Sequence, residues 1–350
     1  MNPTVPLGNT PSRPEKATEV SGLTSLFAKP WVRAFMALIV ILLIGMIFNA
    51  NGTFFRWSAH RDMLRQTSVF GILATAMTLV VITGGIDLGV GSIVAAVAVI
   101  YSTFLMALPV PFSAASTILF CLAVGAVFGV WNGFLIGKFK FQAFIATLAM
   151  MTFARGFAKY ISGGRKVMNA IFFPDGTFKY NPVFPEITDW LNSRILGNNI
   201  AIVTIIMLCC MFIGWVVLSR LVWGRYIYSI GGNEEAARLS GVPILATKML
   251  TYGLSGFFCA VAGICQAAQE YQGDPEAGTG YELTAIGMVV IGGTSLAGGR
   301  GSIGLTLIGV LTMGYLVKIL SLNAVAESTR LMVTGAIIVI AVLFQSSRRK

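Results

Sequence analysis

The chain has 350 residues, of which 56% are hydrophobic and only 11% are charged, and its mean hydropathy is +0.80. A water-soluble protein of this length is not so apolar, so we predict one integral membrane domain and no separate soluble domain. The net charge is +11, but the basic residues are spread among short loops and form no dense patch. We therefore expect contact with membrane lipid and exclude nucleic acid as a partner.

Residues 1–33 precede the first apolar run and are rich in Pro, Ser and Thr. They contain no short apolar core followed by a small-residue cleavage site, so we do not expect them to act as a signal peptide. We predict a disordered cytoplasmic tail over residues 1–33, a transmembrane domain over residues 34–345 and a second cytoplasmic tail over residues 346–350.

Hydropathy predicts an all-α membrane protein, a polytopic bundle of about ten transmembrane helices, some of them broken by glycine. The predicted spans cover residues 34–49, 67–83, 90–107, 112–137, 142–161, 199–218, 247–270, 284–291, 303–321 and 331–344. The eighth span is short and runs into Gly292-Gly293, which predicts a half-helix that packs on protein rather than on lipid.

The distribution of Lys and Arg among the loops predicts the orientation. More of them fall in the segments that are cytoplasmic when both termini lie inside, so we expect a multi-pass protein of the bacterial inner membrane with both termini in the cytoplasm. The loop 219–246 is then cytoplasmic. The loop 162–198 is periplasmic, and its Pro174-Asp175-Gly176 turn is typical of an ordered cap on which another protein docks. Arg155 and Lys159, near a periplasmic helix end, are expected to extend to the membrane interface.

A short repeat occurs at two glycine-rich turns, each of which ends one predicted span and opens the next. Residues 80–93 contain Thr83-Gly84-Gly85-Ile86-Asp87-Leu88, and residues 289–303 contain Gly292-Gly293-Thr294-Ser295-Leu296. Glycine-interrupted segments in the two halves of a membrane chain are typical of broken helices that line a transport route. Convergence of glycine-rich turns by composition is the alternative explanation.

Motifs for enzyme chemistry are missing from the sequence. The nearest approach to a phosphate-binding G-x-x-x-x-G-K-[ST] loop runs from Gly133 to Lys138, but its spacing is wrong and Phe139 follows the lysine, so we expect no ATPase site and no bound cofactor. The single histidine, His60, excludes a multi-histidine metal site, and no metal is predicted. The five cysteines lie in apolar spans, where we expect them to pack without forming a disulfide.

The most informative polar segment lies in loop 219–246. Asn233 is a good N-cap, and the acidic residues that follow it fall in the first turn, where the helix dipole favours them. Gly241 and Pro243 end the predicted helix after about two turns. Such a helix fits a groove on another protein, although an ordinary amphipathic connector is the alternative. The residues predicted to make this contact are Gly232, Asn233, Glu234, Glu235, Ala236, Ala237, Arg238, Ser240 and Gly241.

This segment resembles the EAA-type coupling loop of ABC importer permeases, in the form G-x-N-x-x-A-A-x-x-S-G found in their ribose, xylose and arabinose branch. Four other stretches resemble signatures of the same branch: Thr83 to Gly91, Trp131-Asn132-Gly133, Phe144 to Leu148, and Val290 to Gly301. The chain departs from the branch at Gly89, where serine is usual, and at Ala143, where proline is usual.

The resemblance implies a permease that pairs with a second permease chain, identical or paralogous. It implies two ABC ATP-binding subunits, which hold ATP and Mg²⁺, and a periplasmic sugar-binding protein. The cargo would be a monosaccharide or polyol, such as ribose, xylose or myo-inositol, imported by alternating access. A stand-alone secondary sugar transporter is the alternative, but the spans contain too few carboxylates for an evident proton relay.

Polar and small residues in or beside the spans are candidates for the translocation path. Asp87 either caps the helix that begins near Leu88 or lines the route and binds sugar hydroxyls, and we favour the cap. Asn132 either bonds between helices or contacts the polyol. The complete set is Gly84, Gly85, Asp87, Asn132, Gln142, Thr75, Thr294 and Ser295.

Overall fold

The computed structural model describes residues 29–107, 114–172, 177–180 and 185–346, and the chain is mostly helical, as predicted. The helices in chain order are α1 Pro30–Ile47, α2 Trp57–Ile82, α3 Val90–Ala107, α4 Ala114–Lys138, α5 Ala143–Ser162, α6 Pro185–Asn192, α7 Ile202–Ser219, α8 Val222–Gly232, α9 Glu234–Leu239, α10 Ile244–Glu270, α11 Tyr281–Ile291, α12 Ile303–Leu322 and α13 Glu327–Ser346. A 3₁₀ turn, Thr53–Phe55, lies between α1 and α2.

Short strands form three antiparallel pairs in the loops. The strands are β1 Val167–Met168, β2 Ala170–Phe172, β3 Phe178–Tyr180, β4 Arg194–Ile195, β5 Ile200–Ala201 and β6 Gln272–Gly273. β1 pairs with β6, β2 with β3 and β4 with β5. The pairing of β1 with β6 joins the loop after α5 to the loop after α10.

Every predicted span coincides with a helix, but the count of about ten transmembrane helices is not confirmed. Within the described ranges, six helices are long and apolar enough to cross a membrane: α1, α2, α4, α7, α10 and α12. Two shorter apolar helices correspond to α3 and α11. The spans predicted at 142–161 and 331–344 correspond to α5 and α13, which contain charged residues.

Helix α10 lies at the centre of the bundle, and α4 packs along it through glycine. A Cβ at Gly129 would overlap the carbonyl oxygen of Tyr252, and one at Gly133 would lie 2.6 Å from the carbonyl oxygen of Lys248. Small residues allow such close approach of membrane helices, so this glycine face fixes the register of α4 against α10.

Helix α11 is the predicted half-helix. It has 11 residues, or roughly 16 Å at 1.5 Å per residue, which is too short to cross a bilayer. Ala285, Met288 and Val289 are buried, and Gly309 of α12 packs against the carbonyl of Met288. The prediction of a half-helix that packs on protein is confirmed.

Helix α9 lies at one end of the bundle, called the α9 end, and the loop after α10 lies at the opposite end, called the far end. At the far end, Arg155 of α5 donates hydrogen bonds of 2.6 and 2.7 Å to the carbonyls of Pro275 and Ala277, and Lys159 forms an ion pair with Glu276. Both side chains therefore bind the loop after α10, and the expectation that they extend to the membrane interface stays a prediction.

Three sequence predictions fall partly outside the described residues. Helix α1 begins at Pro30, so residues 30–33 of the predicted N-terminal tail are helical. Residues 1–28 lie outside the described residues. The Pro174-Asp175-Gly176 turn of the predicted cap and residues 347–350 of the C-terminal tail are also outside.

Candidate functional site

Helix α9 is built by the capping residues that the sequence predicts. The Asn233 side chain accepts a 2.9 Å hydrogen bond from the amide of Ala236, and two acidic residues occupy the first turn. At the other end, Gly241 has a φ of +82°, and Val242 donates to the carbonyl of Ala237. This is a Schellman ending, which requires a residue in the left-handed region at Gly241. The predicted short, self-capped helix is confirmed.

One side of α9 is fixed to the bundle. Ala237 is buried, and the Glu234 carboxylate receives hydrogen bonds of 2.7 and 2.8 Å from the Lys248 ammonium of α10. The side chain of Lys248 is only 10% exposed. Ala236 and Ala237 were both predicted to contact a partner, but only Ala236 is exposed, and Ala237 packs on its own bundle.

The opposite side of α9 points away from the bundle. Leu239 is 77% exposed, and Ala236 and Ser240 are exposed as well; Leu239 and Ser240 follow Ala236 by three and four residues, which places all three on one side. Glu235 and Arg238 form an ion pair at the edge of this surface, and the hydrogen bond from Arg238 lowers the pKa of Glu235. The outer face of α9, defined as Ala236, Leu239 and Ser240, therefore carries a large apolar side chain with no cover from the described residues.

Three glycine-rich segments meet directly behind α9. A Cβ at Gly231, at the end of α8, would overlap the carbonyl oxygen of Ile82, and the amide of Gly299 donates a 2.9 Å hydrogen bond to that same oxygen. Gly298 packs against Gly231 and the amide of Gly84. The two turns of the sequence repeat thus contact each other and the segment that leads into α9.

The two repeat copies also have the same backbone conformation. In the first copy, Gly84 has a φ of +80° and donates to Val81, while Gly85 donates to Val80. In the second copy, Gly293 has a φ of +99° and donates to Val290, while Thr294 donates to Val289. Both α2 and α11 therefore end in the same Schellman arrangement.

Asp87 is completely buried between α2 and α3. One carboxylate oxygen accepts a 3.0 Å hydrogen bond from the amide of Gly89, and the other accepts a 2.9 Å hydrogen bond from the hydroxyl of Ser255 on α10. Helix α3 begins at Val90, as the span 90–107 predicts and two residues after Leu88, so Asp87 binds the amide just before the helix rather than an amide of its first turn.

The other candidates for the translocation path are dispersed. The Thr75 hydroxyl donates to the carbonyl of Gly71 in its own helix. Asn132 is completely buried, and neither polar atom of its side chain has a hydrogen-bond partner among the described residues. Thr294 is buried, and the Ser295 hydroxyl accepts from the amide of Ala297.

A cavity of about 460 Å³ lies beneath α9 and brings several predicted residues together. Its walls include Gly84, Gly85, Gln142, Glu234, Glu235 and Arg238, whereas Thr75, Asp87, Asn132, Thr294 and Ser295 do not line it. Lys140, Lys248 and Tyr252 also line it, although none of the three was predicted as a site residue from the sequence. Lys248, one residue inside a predicted span, was a usable signal because a charge there needs a partner.

The fold and this site define a class of protein: a multi-pass helical membrane protein with a short surface helix at one end of its bundle. The chain belongs to the family described as "Branched-chain amino acid transport system / permease component", whose model matches residues 61–342. The resemblance to importer permeases inferred from the motifs is confirmed.

The chain is similar to several characterised importer permeases. It is 37% identical over 326 residues to the ribose import permease protein RbsC of Escherichia coli, which covers 92% of this chain and 97% of that protein. It is 34% identical to the fructose import permease protein FrcC of Rhizobium meliloti (91% and 86% covered) and 31% identical to the xylose transport system permease protein XylH of Escherichia coli (94% and 95% covered). No solved structure matches the chain.

Proposed function

We propose that this chain is the permease subunit of an ABC importer that moves a monosaccharide or a similar polyol across the bacterial inner membrane. The similarity to ribose, fructose and xylose import permeases over almost the whole chain supports the substrate class. In this proposal the α9 end faces the cytoplasm, and a second permease chain completes the translocation route. A periplasmic binding protein delivers the sugar, and ATP and Mg²⁺ bind to separate ATP-binding subunits.

The observation that carries the proposal is the two-sided arrangement of α9. Its inner side is held by Ala237 and by the ion pair between Glu234 and Lys248, so the helix is firmly joined to α10. Its outer face presents Leu239 to an external partner. The fully buried core of a protein interface is more apolar than its rim, so we infer that the ATP-binding subunit docks on Leu239.

Movement of α9 would be transmitted to the bundle through two sets of contacts. The Glu234–Lys248 ion pair connects it to α10, which also carries Ser255, the partner of Asp87. Gly231 connects it to the two repeat turns through the Ile82 carbonyl. Alternating access requires elements with two arrangements, and these turns are where such a change would act.

Site-directed cross-linking tests the docking surface. The exposed native cysteine, Cys209, is first replaced by serine, and Leu239→Cys is then introduced into the full complex. We expect a cross-link to the ATP-binding subunit with a short reagent that is thiol-reactive at one end and photoactivatable at the other. The matched control is Tyr160→Cys, which is 86% exposed at the far end of α5. Cross-linking from position 160 but not from position 239 would contradict the proposed orientation.

Transport assays in proteoliposomes distinguish a permease subunit of an ABC importer from a stand-alone secondary transporter. We expect uptake of ribose, xylose, fructose or myo-inositol only when the ATP-binding subunits, ATP and the binding protein are present. Uptake by the chain alone would instead identify a stand-alone secondary transporter. Uptake of none of these solutes by the assembled complex would overturn the proposed substrate class.

A further inference from the structure

The cavity beneath α9 has the size and wall chemistry of a small-molecule site. Its volume of about 460 Å³ lies within the roughly 300–1,000 Å³ range of ligand pockets. Its walls come from the end of α2, the turn between α4 and α5, helix α9 and the start of α10. A ligand bound there would therefore touch the surface helix and the bundle at once.

Polar groups converge on the cavity from several elements. Gln142, which has a side-chain amide, lines the cavity, and the repeat turn contributes Thr83, Gly84 and Gly85. Tyr252 lies at the wall beside Gly85, and its hydroxyl has no hydrogen-bond partner among the described residues. Ile136, Phe141 and Ile244 supply apolar surface between these groups. Such a lining suits a compact molecule with several hydroxyls and some apolar surface.

The charges on the walls favour an anion. Three basic side chains, from Lys140, Arg238 and Lys248, face two acidic ones, from Glu234 and Glu235. Arg238 is paired with Glu235, and Lys248 with Glu234. Lys140 is exposed and forms no ion pair with any described residue, although it lies within electrostatic range of Glu235. The Lys140 ammonium is therefore available to bind an anionic ligand.

The residues of α9 divide between the cavity and the outer face. Glu234, Glu235 and Arg238 line the cavity, whereas Ala236, Leu239 and Ser240 do not. A partner whose contacts are confined to the outer face would not fill the cavity. This division favours a small molecule over an inserted side chain of the ATP-binding subunit as the occupant.

We propose that this cavity is a binding site for a small hydroxylated anion of the phosphorylated-monosaccharide class, and that the bound ligand holds α9 against the bundle. The anionic group lies at Lys140, and the hydroxyls bond Gln142 and the repeat turn. Because the ligand bridges α9, α10 and the α4–α5 turn, its binding opposes movement of α9. The ligand site stands on the geometry alone, while the effect on transport rests on the proposed function.

Calorimetric titration of the full chain in lipid nanodiscs tests the site. The probe is ribose 5-phosphate, and ribose and inorganic phosphate are separate arms. We expect ribose 5-phosphate to bind with a Kd at or below about 1 mM and each fragment to bind about tenfold more weakly or worse. Binding of phosphate as tight as that of the sugar phosphate would overturn the ligand class. No binding of any of the three up to about 10 mM would overturn the site.

Two neighbouring lysines provide a matched pair of variants. Lys140→Gln removes the unpaired charge from the cavity wall, whereas Lys138→Gln removes an exposed charge in the last turn of α4 that does not line the cavity. We expect the Kd to rise about tenfold in the first variant and less than about twofold in the second. An equal loss in both would show general electrostatic attraction and contradict the site.

Transport by the assembled complex tests the effect of the ligand. Ribose 5-phosphate on the α9 side is expected to slow ATP-driven uptake in the native chain and in the Lys138→Gln variant, but not in Lys140→Gln. Ligand binding without any change of uptake would overturn the regulatory part. If the complex imports no sugar at all while the titration still shows binding, the proposed function fails and the ligand site remains.

Discussion

The amide of Gly299 donates a 2.9 Å hydrogen bond to the carbonyl of Ile82. Ile82 is the last residue of α2, and Gly299 lies in the turn between α11 and α12, so this bond joins the two repeat turns directly. Gly231 packs on the same carbonyl oxygen. One backbone group of α2 is thus shared by the second repeat turn and by the segment that leads into α9.

This contact predicts that Gly231→Ala disrupts the structure while Gly232→Ala does not. A Cβ at Gly231 would overlap the Ile82 carbonyl and lie 2.6 Å from the Gly299 nitrogen, whereas one at Gly232 meets nothing within 4 Å. Overpacking of this kind costs about 1–3 kcal/mol. We expect a lower midpoint of thermal unfolding in detergent and loss of ATP-driven uptake for Gly231→Ala only. Equal unfolding midpoints for the two variants would contradict the contact.

The sequence predicts the elements whose causes are local. The caps of α9 depend on Asn233 and Gly241, which act on amides and carbonyls within a few residues, so both ends of the helix were predictable. The short α11 was predictable because its apolar run stops at Gly292-Gly293.

Contacts between distant segments were not predictable in the same way. A helix of six residues has too few turns for its sequence to show which side is buried, so the burial of Ala237 against the bundle was not predictable. The cavity is formed by residues from Thr83 to Tyr252, which meet only after the helices pack. The roles of Arg155 and Lys248 likewise depend on partners from other elements, which no local pattern encodes.

The ion pair between Glu234 and Lys248 predicts coupled effects of charge reversal. Glu234→Lys and Lys248→Glu each place like charges together, and Lys248 is nearly buried, so each single variant is expected to lose roughly 1.5–3 kcal/mol of stability. The double variant restores opposite charges and should recover a measurable part of that loss. Thermal unfolding of the four proteins, with the coupling of ATP hydrolysis to uptake as a second readout, measures the interaction. Strictly additive losses would show that the two residues act independently.

The buried carboxylate of Asp87 predicts a structural effect that can be separated from substrate contact. Asp87→Ala removes both the bond to the Gly89 amide and the bond from the Ser255 hydroxyl, so we expect a loss of about 2–4 kcal/mol, and about 1–3 kcal/mol for Ser255→Ala. Asp87→Asn keeps an oxygen for Gly89, and its amide can donate to Ser255. We expect its KM for the imported sugar to stay within about twofold of the native value.

The outcome for Asp87 decides between the two roles that the sequence left open. A raised KM in Asp87→Asn with an unchanged unfolding midpoint would place the carboxylate on the translocation path. A lowered midpoint in Asp87→Ala and Ser255→Ala, with KM unchanged in Asp87→Asn, would assign it to the start of α3.

The buried amide of Asn132 predicts a gain of stability on substitution by an apolar residue. Both polar atoms of its side chain are buried and have no partner among the described residues, so they carry a desolvation penalty that leucine of similar shape would remove. We expect Asn132→Leu to raise the free energy of unfolding by about 1–3 kcal/mol. The control is Thr75→Val, which should lower it by about 1 kcal/mol because the Thr75 hydroxyl already donates to the Gly71 carbonyl.

Transport by the same variant shows why a polar group is retained at position 132. If Asn132 contacts the polyol, Asn132→Leu is more stable but has a raised KM, because the polar contact made during passage is gone. If the variant is more stable and its uptake is native, the amide has no part in transport. A lower unfolding midpoint would contradict the prediction and show that Asn132 has a hydrogen-bond partner. The same measurement on the isolated chain and on the assembled complex would then locate that partner. A loss seen only in the complex places it in another subunit, and a loss seen in both places it in this chain.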